Sequence, residues 1–295
     1  MIEFKSVQEL INAAEKNNTT ISQIALEQNA VDMQTSQTQI KSQMLNSIQV
    51  MKDAIKSGLD KNIAQSKKMT EAMAYKFNEF VLSNKNISGG FIGQVISSAL
   101  AISETNAAMW KIVAAPTAGS CGIIPACLLT LQKHFNLPDE KIVMGFINSS
   151  AIGMVIAKRA SISGAEGGCQ AECGSAAAMA ASAMTELLGG SAKMCGVAAA
   201  HALKSLMGLV CDPVAGLVEE PCIIRNASCA TIAVVSCEYA LAQIESVIPI
   251  DEVIDAMNQV GKQMPTCLKE TAEGGIAATP TAKKIYKSIF SSSED

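Results

Sequence analysis

Apolar positions recur at helical spacing almost from the first residue. Val7, Leu10, Ile11 and Ala14 follow Ser6 at i, i+3, i+4 and i+7, which predicts an amphipathic helix with Ser6 as N-cap. A second short helix is expected from near Thr19 or Thr20, carrying Ile21, Ile24 and Ala25. Ile40, Met44, Ile48, Met51 and Ile55 form one stripe of a third, ending near Gly58. Met69, Met73, Phe77 and Phe80 mark one face of a fourth. These stripes are core-facing surfaces, and their methionines are packing residues.

Ser88, Gly89 and Gly90 make the clearest break, after which the chain turns apolar. A buried helix is predicted over 91–110, ended by Pro116. The loop 115–122 then leads into a helix with Pro125 in its first turn, where the missing N–H costs nothing. Leu137, Pro138 and Asp139 cap a long apolar helix that runs to about Lys158. A Gly/Ala-rich helix over 175–188 is separated by Gly189 and Gly190 from another through His201 to Leu206. Segments 226–247 and 251–264 supply the last two helices. No stretch alternates as a strand does, and no repeat or long linker appears. The fold class is all-α, a single helical domain. Residues 1–84 form an N-terminal helical region that is part of it, 85–290 the core, and 291–295 a disordered tail.

Composition sharpens this picture in two places. The 295 residues are 49% hydrophobic but only 4% aromatic, so the core is built from Ala, Val, Ile, Leu and Met in closely packed helices. The net charge of −4, without a basic run, argues against nucleic acid. Two uncharged runs raise a membrane span. Pro116, Gly119, Gly122 and Pro125 interrupt 112–132, and 142–157 is too short, so no membrane association is expected. Ten cysteines without a signal peptide point to a reducing cytoplasm.

Most of those cysteines read as core. Cys127, Cys195, Cys229 and Cys237 lie in apolar helical runs. Cys169, Cys211 and Cys222 sit beside Gly- or Pro-containing segments, where backbone bends around a bulky ligand, and are candidates for a metal cluster. Spacing leaves the choice open. There is no C-x2-C pair, and the C-x3-C of Cys169 and Cys173 lacks a third cysteine at radical-enzyme spacing.

Three long motifs carry more information. They are Ser-Ile-Ser-Gly-Ala-Glu-Gly-Gly-Cys-Gln-Ala-Glu-Cys-Gly (161–174), Gly-Leu-Val-Cys-Asp-Pro-Val-Ala-Gly-Leu-Val-Glu-Glu-Pro-Cys-Ile-Ile-Arg-Asn-Ala (208–227) and Ala-Pro-Thr-Ala-Gly-Ser-Cys-Gly-Ile-Ile-Pro-Ala (115–126). Together they resemble the alpha chain of the iron–sulfur-dependent L-serine dehydratases, in the right order and over most of the chain. The resemblance implies a helical domain wrapped around a four-iron four-sulfur (4Fe-4S) cluster held by Cys169, Cys211 and Cys222. It implies Cys173 as a neighbour of the cluster, not a ligand. It also implies that Thr117, Ala118, Gly119 and Ser120 take the carboxylate of the substrate L-serine, with Ser161 and Ser163 near by. In single-chain relatives a C-terminal cysteine fills the fourth iron position. Here the tail after Gly274 and Gly275 carries none.

The implied reaction is dehydration and deamination of L-serine to pyruvate and ammonia. Hydroxide is a poor leaving group, so an iron free of cysteine is expected to act on it as a Lewis acid. The chain has neither the phosphate loop nor a lysine setting for pyridoxal phosphate. The catalytic base is not visible. His134 and His201, the only histidines, read as packing or surface residues, and Glu166, Glu172, Asp212 and Arg225 are undecided between supporting the cluster and packing. The Ser-Ser-His-Thr motif of single-chain relatives has no counterpart in 1–84. The resemblance therefore implies a beta subunit as partner that supplies part of the active site, base included. Two other classes stand beside this one. An electron-transfer or sensor protein would need a fourth ligand, Cys173 or Cys267; a metal-free helical scaffold would need none.

Overall fold

The computed structural model of the chain describes residues 4–66 and 69–290. Thirteen α-helices occur among the described residues: α1 Val7–Lys16, α2 Ile21–Asp32, α3 Gln37–Gly58, α4 Met73–Leu82, α5 Gly89–Ala107, α6 Ile123–Phe135, α7 Asp139–Arg159, the one-turn α8 Gly164–Gly167, α9 Ser175–Leu187, α10 Ala192–Leu206, α11 Cys222–Leu241, α12 Ile250–Gln263 and α13 Pro280–Phe290. No strand occurs among them, only an isolated parallel bridge between Cys211 and Lys269. The architecture is all-α, as the periodicity predicts. The expected disordered tail, 291–295, lies outside the described residues.

Local chemistry sets the helix starts. The hydroxyls of Ser6, Thr20, Ser36 and Ser191 each accept the N–H three residues on. Pro125 stands in the first turn of α6, and Asn136 closes that helix at φ 50°.

α9 is the centre. Every residue from Ser175 to Thr185 is buried, and α6, α7, α10 and α11 surround it. Six alanines in that stretch keep its surface low, so neighbouring helices approach closely. On the facing side of α7, a side chain at Gly145 or Gly153 would collide with Leu187 or Met179 at 2.7 and 2.6 Å. α5 carries α3, α4 and α6 on an outer layer, while α1 and α12 close over α10.

Several boundaries differ from the periodicity reading. Met69 lies outside α4, because the buried Glu104 carboxylate of α5 accepts from the N–H groups of Met73 and Ala74 at 2.8 and 3.1 Å and fixes the helix start there. Ala74 and Val81 bury the face, and Phe80 is exposed. α5 ends at Ala107, with Met109 turned at φ 62°, short of Trp110. α11 begins four residues early, directly after Pro221, and stops at Leu241. The periodicity does not predict α13, because among its residues only Ala282 is buried and its apolar stripe is thin. α7 has the length and mean hydropathy of a membrane span, its charged ends extending the run 142–157. Its Ile142, Ile147, Ile152 and Ile156 are buried within the fold.

One buried polar knot ties three of these helices. The Glu186 carboxylate accepts from Asn148 Nδ2 at 2.7 Å and from the Ser22 N–H at 3.2 Å, and Asn148 Oδ1 accepts from Ser182 at 2.8 Å. Burial raises the Glu186 pKa above the ordinary glutamate value, against these hydrogen bonds. An acid raised in the folded state contributes its stability at low pH and loses it as pH rises through the folded value. Glu186→Gln should therefore flatten the decline in stability on the alkaline side of the normal glutamate range. Urea midpoints at a series of pH values check this; an unchanged slope contradicts it.

Candidate metal and substrate site

The N-terminal ends of three helices meet at one place. The loop 115–122 feeds α6, the π-helical turn Gln170–Gly174 runs straight into α9, and Cys222 is the first residue of α11. The dipoles of these helix starts add positive potential at this place.

Asn226 locks two of the three together. Its Nδ2 donates to Gly119 O at 2.7 Å and to Cys222 O at 2.9 Å, and its Oδ1 accepts from the Gly122 N–H at 3.0 Å. Thr117 Oγ1 donates to Glu172 Oε1, joining the loop to the turn before α9. Thr117 and Ser120 share a hydroxyl contact of 3.0 Å, and the Ser120 N–H reaches Thr117 Oγ1 at 3.3 Å. The N–H groups of Ala118 and Gly119 meet no acceptor among the described residues, and Ala118 is exposed.

Cys169, Cys211 and Glu172 converge beneath this loop, their ligating atoms all within 4.8 Å of one another. Gly164 leaves the space beside them. A Cβ there would lie 3.0 Å from Cys211 Sγ, 3.3 Å from Glu172 Oε2 and 3.4 Å from Glu270 Oε2. Cys222 borders the same field: burial and the charges of Cys169 and Glu172 push its thiol up. Hydrogen bonds from Cys173 and Cys211 hold the Cys169 thiol down to about 3, with Arg225 assisting and burial opposing. Cys211 is pushed up, chiefly by its bond to Cys169 and by burial. Burial, and then the nearby Cys169 and Glu270, raise the Glu172 carboxyl to about 7, though the Thr117 bond opposes this.

Arg225 brings a full positive charge into this field. It lies 3.9 Å from Cys169 Sγ, donates to Val210 O at 2.9 Å and pairs with Asp212 Oδ1 at 2.7 Å. The Asp212 contact is an ion pair outside hydrogen-bond alignment. Asp212 Oδ2 accepts from the Ile276 N–H at 2.7 Å, which draws in the C-terminal segment. That segment also zips along Cys211: the Cys211 N–H donates to Leu268 O at 2.9 Å, and the Glu270 N–H to Cys211 O at 2.7 Å.

The other residues singled out from the sequence fall elsewhere. Ser161 lines a separate cavity of about 270 Å3 with Glu166, Asn258 and Lys262. Its Oγ accepts from the Ser163 N–H at 3.0 Å, and Ser163 leads into α8. Cys173 faces inward and bonds with Cys169 and Cys229. Cys127, Cys195, Cys229 and Cys237 are buried in the core. His134 packs edge-on against Phe91 and Phe135, and His201 contacts Ile244 O at 3.1 Å beside Tyr239. Arg159 binds Asp255 at 2.6 Å and joins α7 to α12. Glu270, Asn226 and Gly164 were not picked out as site residues. Glu270 lies in the C-terminal segment beyond the three motifs, and nothing local to it signals that this segment returns to Cys211.

A family model described as serine dehydratase alpha chain matches residues 16–277. This chain belongs to that family. The probable L-serine dehydratase alpha chain of Bacillus subtilis is 43% identical over 287 residues, covering 97% of this chain and 95% of the relative. The L-serine dehydratase alpha chain of Peptoniphilus asaccharolyticus is 41% identical, over 97% and 98%. L-serine dehydratase TdcG of Escherichia coli is 38% identical over 93% of this chain, but only 62% of its own length is covered. Family relatives thus occur both at the length of this chain and as longer polypeptides.

Proposed function

We propose that this chain is the alpha subunit of an L-serine dehydratase, converting L-serine to pyruvate and ammonia with a four-iron four-sulfur cluster. The observation that carries the reading is the convergence of Cys169, Cys211 and Glu172 under the loop 117–120, in a chain of this family. Cys169, Cys211 and Cys222 would hold the cluster. The donor set fits. Three thiols in one negative field ionise together only against a cationic centre, and Gly164 keeps the space beside Cys211 clear. When bound, the cluster supplies a Lewis-acidic iron for the departing β-hydroxyl.

The chain's own residues do the rest. The free N–H groups of Ala118 and Gly119, with the hydroxyls of Thr117 and Ser120, receive the substrate carboxylate at the start of α6. Ser161 and Ser163 shape the segment that presents Gly164 to the site. Loss of the α-proton and of the β-hydroxide as water leaves aminoacrylate, which tautomerises to the imine, and hydrolysis of the imine gives pyruvate and ammonia. The beta subunit completes the site and contributes the base. A second reading places the base on Glu172, which lies half-buried beside the Cys169 and Cys211 thiols and is bonded to Thr117 in the loop 117–120.

Two experiments test this. Cys169→Ser, Cys211→Ser and Cys222→Ser should each abolish stable iron and sulfide binding after anaerobic reconstitution, and Gly164→Ala should sharply reduce it. Cys173→Ser should retain both. Iron and sulfide analysis checks the set, and full loading of the Cys211 variant contradicts it. Pyruvate formation from L-serine by the reconstituted chain should then require the beta subunit. Full turnover by this chain alone would move the base onto it, with Glu172→Gln expected to cost at least a hundredfold in kcat, of the order that general-base loss brings.

A further inference from the structure

Glu270 belongs to the C-terminal segment, far in sequence from the cysteine motifs, yet it overhangs the site. Its backbone adopts φ 64°, the left-handed region that side-chain-bearing residues seldom occupy. Two hydrogen bonds around Cys211 hold it there, Cys211 N–H to Leu268 O and Glu270 N–H to Cys211 O, at 2.9 and 2.7 Å. The result is that Glu270 Oε2 and Glu172 Oε2 lie 3.4 and 3.3 Å from one point beside Gly164, with Cys211 Sγ at 3.0 Å.

The two carboxylates differ in engagement. Glu172 uses its other oxygen to accept from Thr117 and is half-buried beneath the loop. Glu270 is exposed, and its carboxylate accepts no hydrogen bond among the described residues. Arg225 is occupied by Asp212 and Val210 O. Glu270 is therefore left at the edge of the site without a cation among the described residues.

Resting on the reading above, we propose that Glu270 binds the α-ammonium of the substrate and makes the site selective for amino acids over the corresponding hydroxy acids. L-serine presents a carboxylate, a hydroxyl and an ammonium. The first meets the N–H groups and hydroxyls of 117–120. The second faces the cysteine side. The third is the only cationic group of the three, and Glu270 is the anion left for it. Its place on a returning tail also couples substrate recognition to the zipping of 268–270 onto Cys211.

The test uses the reconstituted chain with its beta subunit and the variant Glu270→Gln, which keeps shape and tolerates the backbone but removes the charge. Three quantities are read: iron and sulfide content, KM and kcat for L-serine, and the inhibition constant of L-glycerate, which replaces the ammonium with hydroxyl. Glu270→Gln should keep its iron and raise KM about ten- to a hundredfold, the order expected of a charge-assisted hydrogen bond. The change in kcat should be smaller, and L-glycerate should bind as well as before or better. Glu270→Asp, which restores the charge, should recover most of the affinity. An unchanged KM overturns the proposal. So does an equal loss of affinity for both ligands, which marks a structural role, or loss of iron, which marks a ligand. A wild-type pair inactive on L-serine overturns the underlying reading instead, whereas an active pair with an indifferent variant overturns only the role of Glu270.

Discussion

Concentrated negative charge in a poorly hydrated place is the constraint that organises this molecule. Cys169, Cys211, Glu172 and Asp212 lie together, and three of them are almost completely buried. Isolated buried charges are costly unless something positive faces them. The fold answers with Arg225 and with the N-terminal ends of α6, α9 and α11. Bringing three helix starts to one point requires closely spaced helices, which an alanine-rich α9 permits. The composition of the core and the electrostatics of the site are thus two views of one requirement.

Asn226 and Asp212 translate that requirement into a single rigid assembly. Asn226 fixes the loop 115–122 to α11 without adding charge. Asp212 joins Arg225 to the C-terminal segment through the Ile276 N–H. Two buried side chains thereby couple elements that are more than sixty residues apart, and the cysteine site becomes the place where the beginning, middle and end of the core agree.

The helical stripes of α1 to α3 and the caps at Ser6 and Thr20 were legible because each depends on neighbours within one or two turns. The three motifs marked the chemistry because glycine, proline and cysteine cluster where backbone must bend. What stayed hidden was non-local. The start of α4 is decided by Glu104 on another helix, and the tail's return to Cys211 by hydrogen bonds that leave no periodic trace. Ser161 reads as a companion of Ser163 in sequence, yet it lines a cavity with α12. Glu172 was one acidic residue among several until its burial and its bond to Thr117 set it apart.

The central proposal is that Cys169, Cys211 and Cys222 would hold a cluster with one iron left open to substrate. Mössbauer spectroscopy of the chain reconstituted with iron-57 and paired with its beta subunit, recorded with and without L-serine, addresses it most directly. The account predicts that L-serine shifts the signal of one iron in four toward higher coordination while the other three stay as they were. Four irons that remain equivalent and unmoved by L-serine would contradict it.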